Sequence, residues 1–199
     1  FPLAKDAVSS NLNELKKEFL DHVDISAENI FSPDGTIAKD EIFEHCRLYE
    51  EKINELGGLD IVLLGIGRVG NIAFNEPGSR INSTTRLILL DNPSRDEASK
   101  IFGSLDNTPH SSITMGISTI LSSKKVYLIA WGEDKAQMIK GCIEEKVSDA
   151  LPASFLQTHN NARIAIDLSA ASNLTRIQRP WLVTSCDWDD KLIRSAIVW

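Results

Sequence analysis

Between Leu59 and Leu90 the sequence leaves the chain little freedom. An apolar run, Leu59 to Leu64, leads straight into Gly65-Ile66-Gly67-Arg68-Val69-Gly70, and fourteen residues, Asn71 to Thr84, separate that turn from the next apolar run, Thr85 to Leu90. A Gly-x-Gly-x-x-Gly after a strand is the fingerprint of a dinucleotide-binding turn, and Asp91 stands about 20 residues on, where a ribose-binding carboxylate would sit. That fingerprint requires a helix opening at its third glycine, because the pyrophosphate rests on the amides of the helix N-terminus. Pro77-Gly78, with Asn71, Asn75 and Asn82, breaks any helix in the available stretch. An NAD-type reading is therefore disfavoured. The run is better read as a strand delivering a flexible turn at its C-terminal end, the edge where open α/β sheets place ligands. Asn71, Asn75 and Glu76 then either line a cleft or face water at a simple chain reversal.

The rest of the chain supports layers of strand and helix. Apolar residues recur on one helical face from Ala38 to Leu56 (Ile42, Phe43, Cys46, Tyr49, Ile53, Leu56), and Gly57-Gly58 ends the helix. Two further apolar runs, Lys125 to Ala130 and Ala162 to Leu168, join Leu59 to Leu64 and Thr85 to Leu90 as four expected buried strands. Their low polarity fits a parallel sheet with helices on both faces. Further helices are expected at about Ser9 to Leu20, Arg95 to Phe102, Ser118 to Ser122, Asp134 to Glu145, and Asp189 to Val198 with Asp189 as N-cap. This alternation predicts an α/β fold. With no repeat and no Pro-, Gly- or Ser-rich linker, residues 1–199 are expected to form one domain.

Composition excludes several functions. A net charge of −7 with dispersed Lys and Arg opposes non-specific nucleic-acid binding. No apolar run reaches the ~18 residues of a membrane span. Cys46, Cys142 and Cys186 are odd in number, widely spaced and without a C-x-x-C pair, so neither a disulfide framework nor a zinc site is indicated, and the cytoplasm is the expected compartment; no cofactor is expected. The chain opens without Met and stops at Trp199 inside an apolar stretch, which is the expectation for a piece of a longer protein.

Gly65-x-Gly67-x-x-Gly70-x-Ile72-Ala73-Phe74-Asn75-Glu76-Pro77 resembles the signature of the glucosamine-6-phosphate deaminase/isomerase family. So do Asp21-His22-Val23-Asp24-Ile25-x-x-Glu28-Asn29-Ile30, Tyr49-Glu50-x-Lys52-Ile53, Ile113-Thr114-Met115-Gly116, Gly132-x-x-Lys135-Ala136 and Ser154-Phe155-Leu156-Gln157-x-His159. Ala153 to Asn161 and Thr175 to Trp199 are most similar to the long-chain, Bacteroidetes-type version, in which a deacetylase-like domain follows. The resemblance implies a sugar-phosphate isomerase architecture, like that of ribose-5-phosphate isomerase and the CoA transferases, here without its N-terminal strands. It also implies a reaction that opens an amino-sugar ring, moves a proton between C2 and C1, and releases ammonia to leave fructose 6-phosphate.

The resemblance assigns candidate residues, with departures. Its loop carboxylate and histidine fall at Val69 and Asn71, and only its glutamate is kept, as Glu76. Valine carries no proton and Asn does not titrate near neutrality, so ring opening by acid–base chemistry loses its pair. The family's proton-shuttling aspartate and Gly-Ser-Thr phosphate loop have no counterpart. Lys135 matches a phosphate-binding lysine, or else is a solvated first-turn lysine. Lys100 matches a phosphate-binding arginine without the bidentate fork, or is simply a surface residue. Ser79 and Arg86 match an allosteric site whose basic partner is replaced by Ile88, and Arg86 equally reads as a strand-flanking residue. Trp131, Trp181 and Trp188 are expected to pack, His159 to be structural, and His22, His45 and His110 carry no assignment. The expected partners are a small sugar phosphate and, because missing strands uncover the sheet, a second copy of the chain. The expected activity is deamination with this stretch inactive alone. The alternative is a non-catalytic phosphosugar-binding or regulatory domain.

Overall fold

The computed structural model describes residues 1–198; Trp199, the last residue of the expected domain, lies outside the described residues. Along the chain run α1 (Asn11–Glu18), α2 (Ile42–Glu55), β1 (Ile61–Leu64), β2 (Arg86–Leu89), α3 (Asn92–Phe102), β3 (Ser111–Thr114), α4 (Ile117–Leu121), β4 (Lys125–Ala130), α5 (Ala136–Glu144), β5 (Ala162–Ile166), α6 (Thr175–Gln178) and α7 (Asp190–Val198). Three of the four apolar runs form the expected parallel sheet, in the order β1-β4-β5, with Leu64 opposite Leu128 and Ala130 opposite Ile166.

The fourth run does not join it. β2 pairs antiparallel with β3 in a separate two-stranded sheet, Arg86 opposite Thr114 and Leu89 opposite Ser111. β3 was not expected as a strand because its inward positions are the hydroxyl residues Ser112 and Thr114, which carry no apolar alternation. α2 lies over β2, and its Glu50 carboxylate takes the Thr85 N–H at 2.7 Å and the Thr119 hydroxyl at 2.7 Å. Gly116 precedes α4 because a Cβ there would overlap the Ser83 carbonyl, which accepts the Ser118 N–H at 2.8 Å.

The core lies on one face of the parallel sheet. Val126, Leu128 and Ala130 alternate inward and meet Ile117, Ile120, Ile139, Cys142, Phe155 and Leu156 from α4, α5 and the 3-10 turn Pro152–Thr158. Complete burial of a side chain such as Leu128 contributes about 1.5–3 kcal/mol. Coverage of both faces, the expectation, is not realised. Ile61 and Leu63 are 57% and 69% exposed on the other face, joined there by Ile129 and, at 71% exposure, by Trp131. Trp131 is therefore not packed away among the described residues. Trp181 and Trp188 do stack on each other, ring centroids 6.0 Å apart, although Trp188 stays exposed. Asp189 caps α7 through the Leu192 N–H at 2.7 Å, yet Ile193 and Ile197 of its apolar stripe face solvent.

Candidate functional site

Parallel pairing of β1 with β4 sends both C-terminal ends to one edge, where the glycine loop follows β1 and the turn carrying Lys135 follows β4. The turn after β1 closes through Gly70 N–H to the Gly67 carbonyl (3.0 Å) and Gly67 N–H to the Asn71 carbonyl (2.9 Å). No helix follows it: Ile72 and Asn75 form an isolated bridge around Ala73, whose φ is 50°. The dinucleotide reading loses its anion-binding helix on this observation, and Asp91 serves instead as N-cap of α3, taking the Ser94 N–H at 2.8 Å. Gly67 and Gly70 are required by what crowds them. A Cβ on Gly67 would overlap the Asn71 amide, and one on Gly70, at φ 77°, would collide with Leu151. Gly65 meets nothing, so its absent side chain leaves the cleft open.

A cleft of about 320 Å³ lies between this turn and α3, lined by Gly65, Gly67 and Asn71 on one side and by Ser94, Glu97, Ala98 and Ile101 on the other. The last four fall at i, i+3, i+4 and i+7, one face of α3. Asn71 is 7% exposed; its Nδ2 donates to the Ala73 carbonyl at 3.2 Å, while its Oδ1 is buried without a partner. Both carboxylate oxygens of Glu76 are likewise buried and make no well-formed hydrogen bond. Burial pushes the Glu76 carboxyl up to about 7; the nearby Ser94 side chain opposes that shift and the Asp91 charge adds to it. The site thus offers an orphaned amide oxygen and a carboxyl that titrates near neutrality. Val69, in the same loop, is half-buried and adds only an apolar surface.

Asn75 is fully buried and holds the loop rather than facing the cleft: its Nδ2 donates to the Ile72 and Met115 carbonyls at 3.0 and 2.8 Å. Its Oδ1 accepts from Arg86 Nη1 at 2.9 Å, and Arg86 Nη2 donates to Ser79 Oγ at 3.0 Å. Ser79 and Arg86 therefore do meet, in a network that pins the loop to β2. Lys135 sits in the 3-10 turn Glu133–Lys135 that opens α5, its side chain 16% exposed, 3.7 Å from Glu97 and 3.8 Å from Asp134. α3 consequently bridges the site: Asp91 and Ser94 at its start adjoin Glu76, and Glu97 reaches Lys135. Lys100, on the same helix, is exposed and off the cleft-facing line of residues. His159 is structural, bonded to the Ser123 carbonyl at 2.8 Å and to the Asn161 N–H at 3.0 Å.

Residues 2–165 match the family model of the glucosamine-6-phosphate isomerases/6-phosphogluconolactonase. The chain belongs to this family. A glucosamine-6-phosphate deaminase-like protein of Bacteroides thetaiotaomicron is 75% identical over all 199 residues, which span 30% of that protein. The glucosamine-6-phosphate deaminase of Bacillus pumilus is 39% identical over 170 residues, 85% of this chain and 70% of that enzyme. Among solved structures, a monomeric glucosamine-6-phosphate deaminase superposes with a TM-score of 0.82 at 38% identity over 86% of this chain and 70% of its own. The 6-phosphogluconolactonase of Trypanosoma brucei, at 20% identity and a TM-score of 0.69, shares the fold. The isomerase/lactonase fold thus accounts for the α/β layering and for the loop at the sheet edge. Sequence reasoning missed Ser94 and Glu97, and gave Asp91 only the ribose-binding role of the disfavoured dinucleotide reading. Asp91-Asn92-Pro93-Ser94 is an N-cap followed by an early proline, a signal that places the start of α3 at Asn92 rather than at Arg95.

Proposed function

We propose that the protein containing this chain acts in amino-sugar-phosphate metabolism as a glucosamine-6-phosphate deaminase/isomerase, and that the stretch described is inactive alone. The observation that carries this reading is the partnerless Asn71 Oδ1 together with the buried Glu76 carboxyl, at the ligand edge of the sheet in a member of this family. A buried acceptor without a partner costs about 1–3 kcal/mol, a cost removed when a sugar hydroxyl or amine donates to it. Glu76, titrating near neutrality, suits proton transfer to or from such a ligand. It has no imidazole beside it, because Asn71 replaces the histidine, and Val69 cannot take the place of the loop carboxylate. Lys135 is the proposed phosphate partner, and Lys100 a secondary one. Ser79 and Arg86 remain the proposed allosteric pair.

Residues 1–199 are proposed to form one folding unit, working in the cytoplasm; no helix among the described residues is long and apolar enough to cross a membrane. The uncovered sheet face supports self-association of this stretch. The Val69 and Asn71 replacements favour a second reading, a phosphosugar-binding domain without turnover. Calorimetry with glucosamine 6-phosphate, alongside an ammonia assay, tests both. Binding that Lys135→Met abolishes supports the site. Stabilisation by NAD but not by the sugar phosphate overturns it.

A further inference from the structure

Two of the groups that would face an anion from the turn after β4, the Lys135 ammonium and the Gly132 N–H, already face a carboxylate. Lys135 Nζ lies 3.7 Å from Glu97 Oε1 and 3.8 Å from Asp134 Oδ2, with its side chain 16% exposed. The Gly132 N–H, a backbone donor of the same turn, is directed at both oxygens of Asp167, at 3.2 and 3.3 Å. Across the cleft, Arg68 of the glycine loop is 3.8 Å from Asp96 of α3. Arg95 of the same helix is turned away, its Nη2 bonded to the Leu105 and Thr108 carbonyls at 2.9 and 3.2 Å. Of these carboxylates, Glu97 is the one that both lines the cleft and pairs with the half-buried lysine. Asp134 is Lys135's neighbour in sequence, on the outer side of the turn and 62% exposed in its side chain.

We propose that Glu97 is a specificity-determining residue, an internal carboxylate that occupies the anion position at Lys135 and that a phosphate group must displace to bind. The proposal rests on the reading of Lys135 as the phosphate partner and adds what sets its affinity. A phosphate dianion arriving at Lys135 meets a cation already neutralised, and beside it a negative charge that repels it. The attraction that remains is therefore smaller than a free lysine would give. A ligand without phosphate meets no such opposition. Its hydroxyls or amine can use Asn71 Oδ1 and the carboxylate of Glu97, both acceptors that line the cleft. The cleft thereby discriminates less between phosphorylated and unphosphorylated sugars than an unpaired lysine would make it do.

Glu97→Gln keeps the shape and removes the charge, at a side chain 44% exposed and so tolerant of the change. Release of a partly exposed pair and of the repulsion beside it is worth roughly a five- to tenfold gain in affinity. The probe is inorganic phosphate, titrated into the full-length polypeptide and into its Glu97→Gln, Lys135→Met and doubly substituted forms. The readouts are calorimetry and backbone amide shifts around Lys135, with thermal melts to confirm folding. The expected result is tighter phosphate binding by E97Q, lost when Lys135→Met is added. Equal affinity in the unmodified and E97Q forms, or no phosphate binding by either, overturns the proposal. Glucosamine 6-phosphate is titrated in parallel. If it binds and E97Q leaves its affinity unchanged, the specificity role fails while the proposed function stands. If phosphate shows the gain and the sugar phosphate does not bind, Glu97 keeps its role and the proposed function fails.

Discussion

Replacing Gly70 by alanine perturbs the loop at its tightest point, and two separable costs can be worked out. Gly70 has φ 77°, in the left-handed region, where a Cβ costs about 1–2 kcal/mol. The new Cβ would also collide with Leu151 Cδ1 and stand 3.0 Å from its Cγ and 3.4 Å from Met138 Sδ. Crowding of this kind typically costs about 1–3 kcal/mol. The Gly70 carbonyl also accepts the Ala153 N–H at 2.9 Å, which ties the loop to the 3-10 turn and limits the shift available for relief. Together these give about 3.5 kcal/mol at mid-range, and a melting temperature lower by about 7–14 °C in a chain of this size. Leu151→Ala removes the colliding carbons and leaves the backbone cost untouched. In urea unfolding of the four forms of a double-mutant cycle, Gly70→Ala should cost at least about 1 kcal/mol less in the Leu151→Ala background. A Gly70→Ala cost below about 1 kcal/mol, or one of equal size in both backgrounds, refutes the reasoning.

The charge state of Glu76 should be visible in stability. Its carboxyl is raised from 4.5 to about 7, so its contribution is fully present below about pH 4.5 and is lost as pH rises through 7. Glu76→Gln should therefore gain stability relative to the unmodified chain at pH 8 but not at pH 4, by denaturation at the two pH values; an equal difference at both contradicts the assignment. Asp91→Ala removes the α3 N-cap and should cost about 1 kcal/mol. The same change takes away a neighbouring negative charge, so the Glu76 titration followed by NMR should move to lower pH; an unmoved midpoint counts against their proximity. Leu63→Lys with Ile129→Lys should reduce light scattering by the 199-residue chain at high concentration, since both side chains sit on the uncovered sheet face. Unaltered scattering removes that face as the cause of association.

The parts of the fold that were readable in the sequence were those where one interaction dominates. Lys125 to Ala130 is apolar because it is the central strand, and Gly57-Gly58 ends α2 because both residues take positive φ. The failure of a helix to start at Gly70 followed from Pro77, Gly78 and the asparagines, and the loop is indeed helix-free. What the sequence hid was partnership. Thr85 to Leu90 looks like a core strand, yet its mate is the polar β3, and nothing local records that pairing. The exposure of Ile61, Leu63 and Trp131 is hidden likewise, since apolarity reports that a residue is suited to burial and not what would cover it. At the site, the family loop was legible through its glycines and Glu76. The role of Asn75 was not: it reads as a cleft residue, while its three hydrogen bonds make it the pin of the loop. The Lys135–Glu97 pair joins residues 38 positions apart in sequence, beyond the reach of any local pattern.

The central proposal is that this chain keeps a sugar-phosphate cleft but not the groups that turn the substrate over. The direct test is ammonia release from glucosamine 6-phosphate by the 199-residue chain, and by the full-length polypeptide with and without Val69→Asp plus Asn71→His. Each missing acid–base group is worth about 10²–10⁴ in rate, and groups acting together do not combine independently. No detectable ammonia from the unmodified chain, with a gain in the full-length polypeptide when both side chains are restored, is the predicted result. Ammonia release by the unmodified 199-residue chain would contradict it.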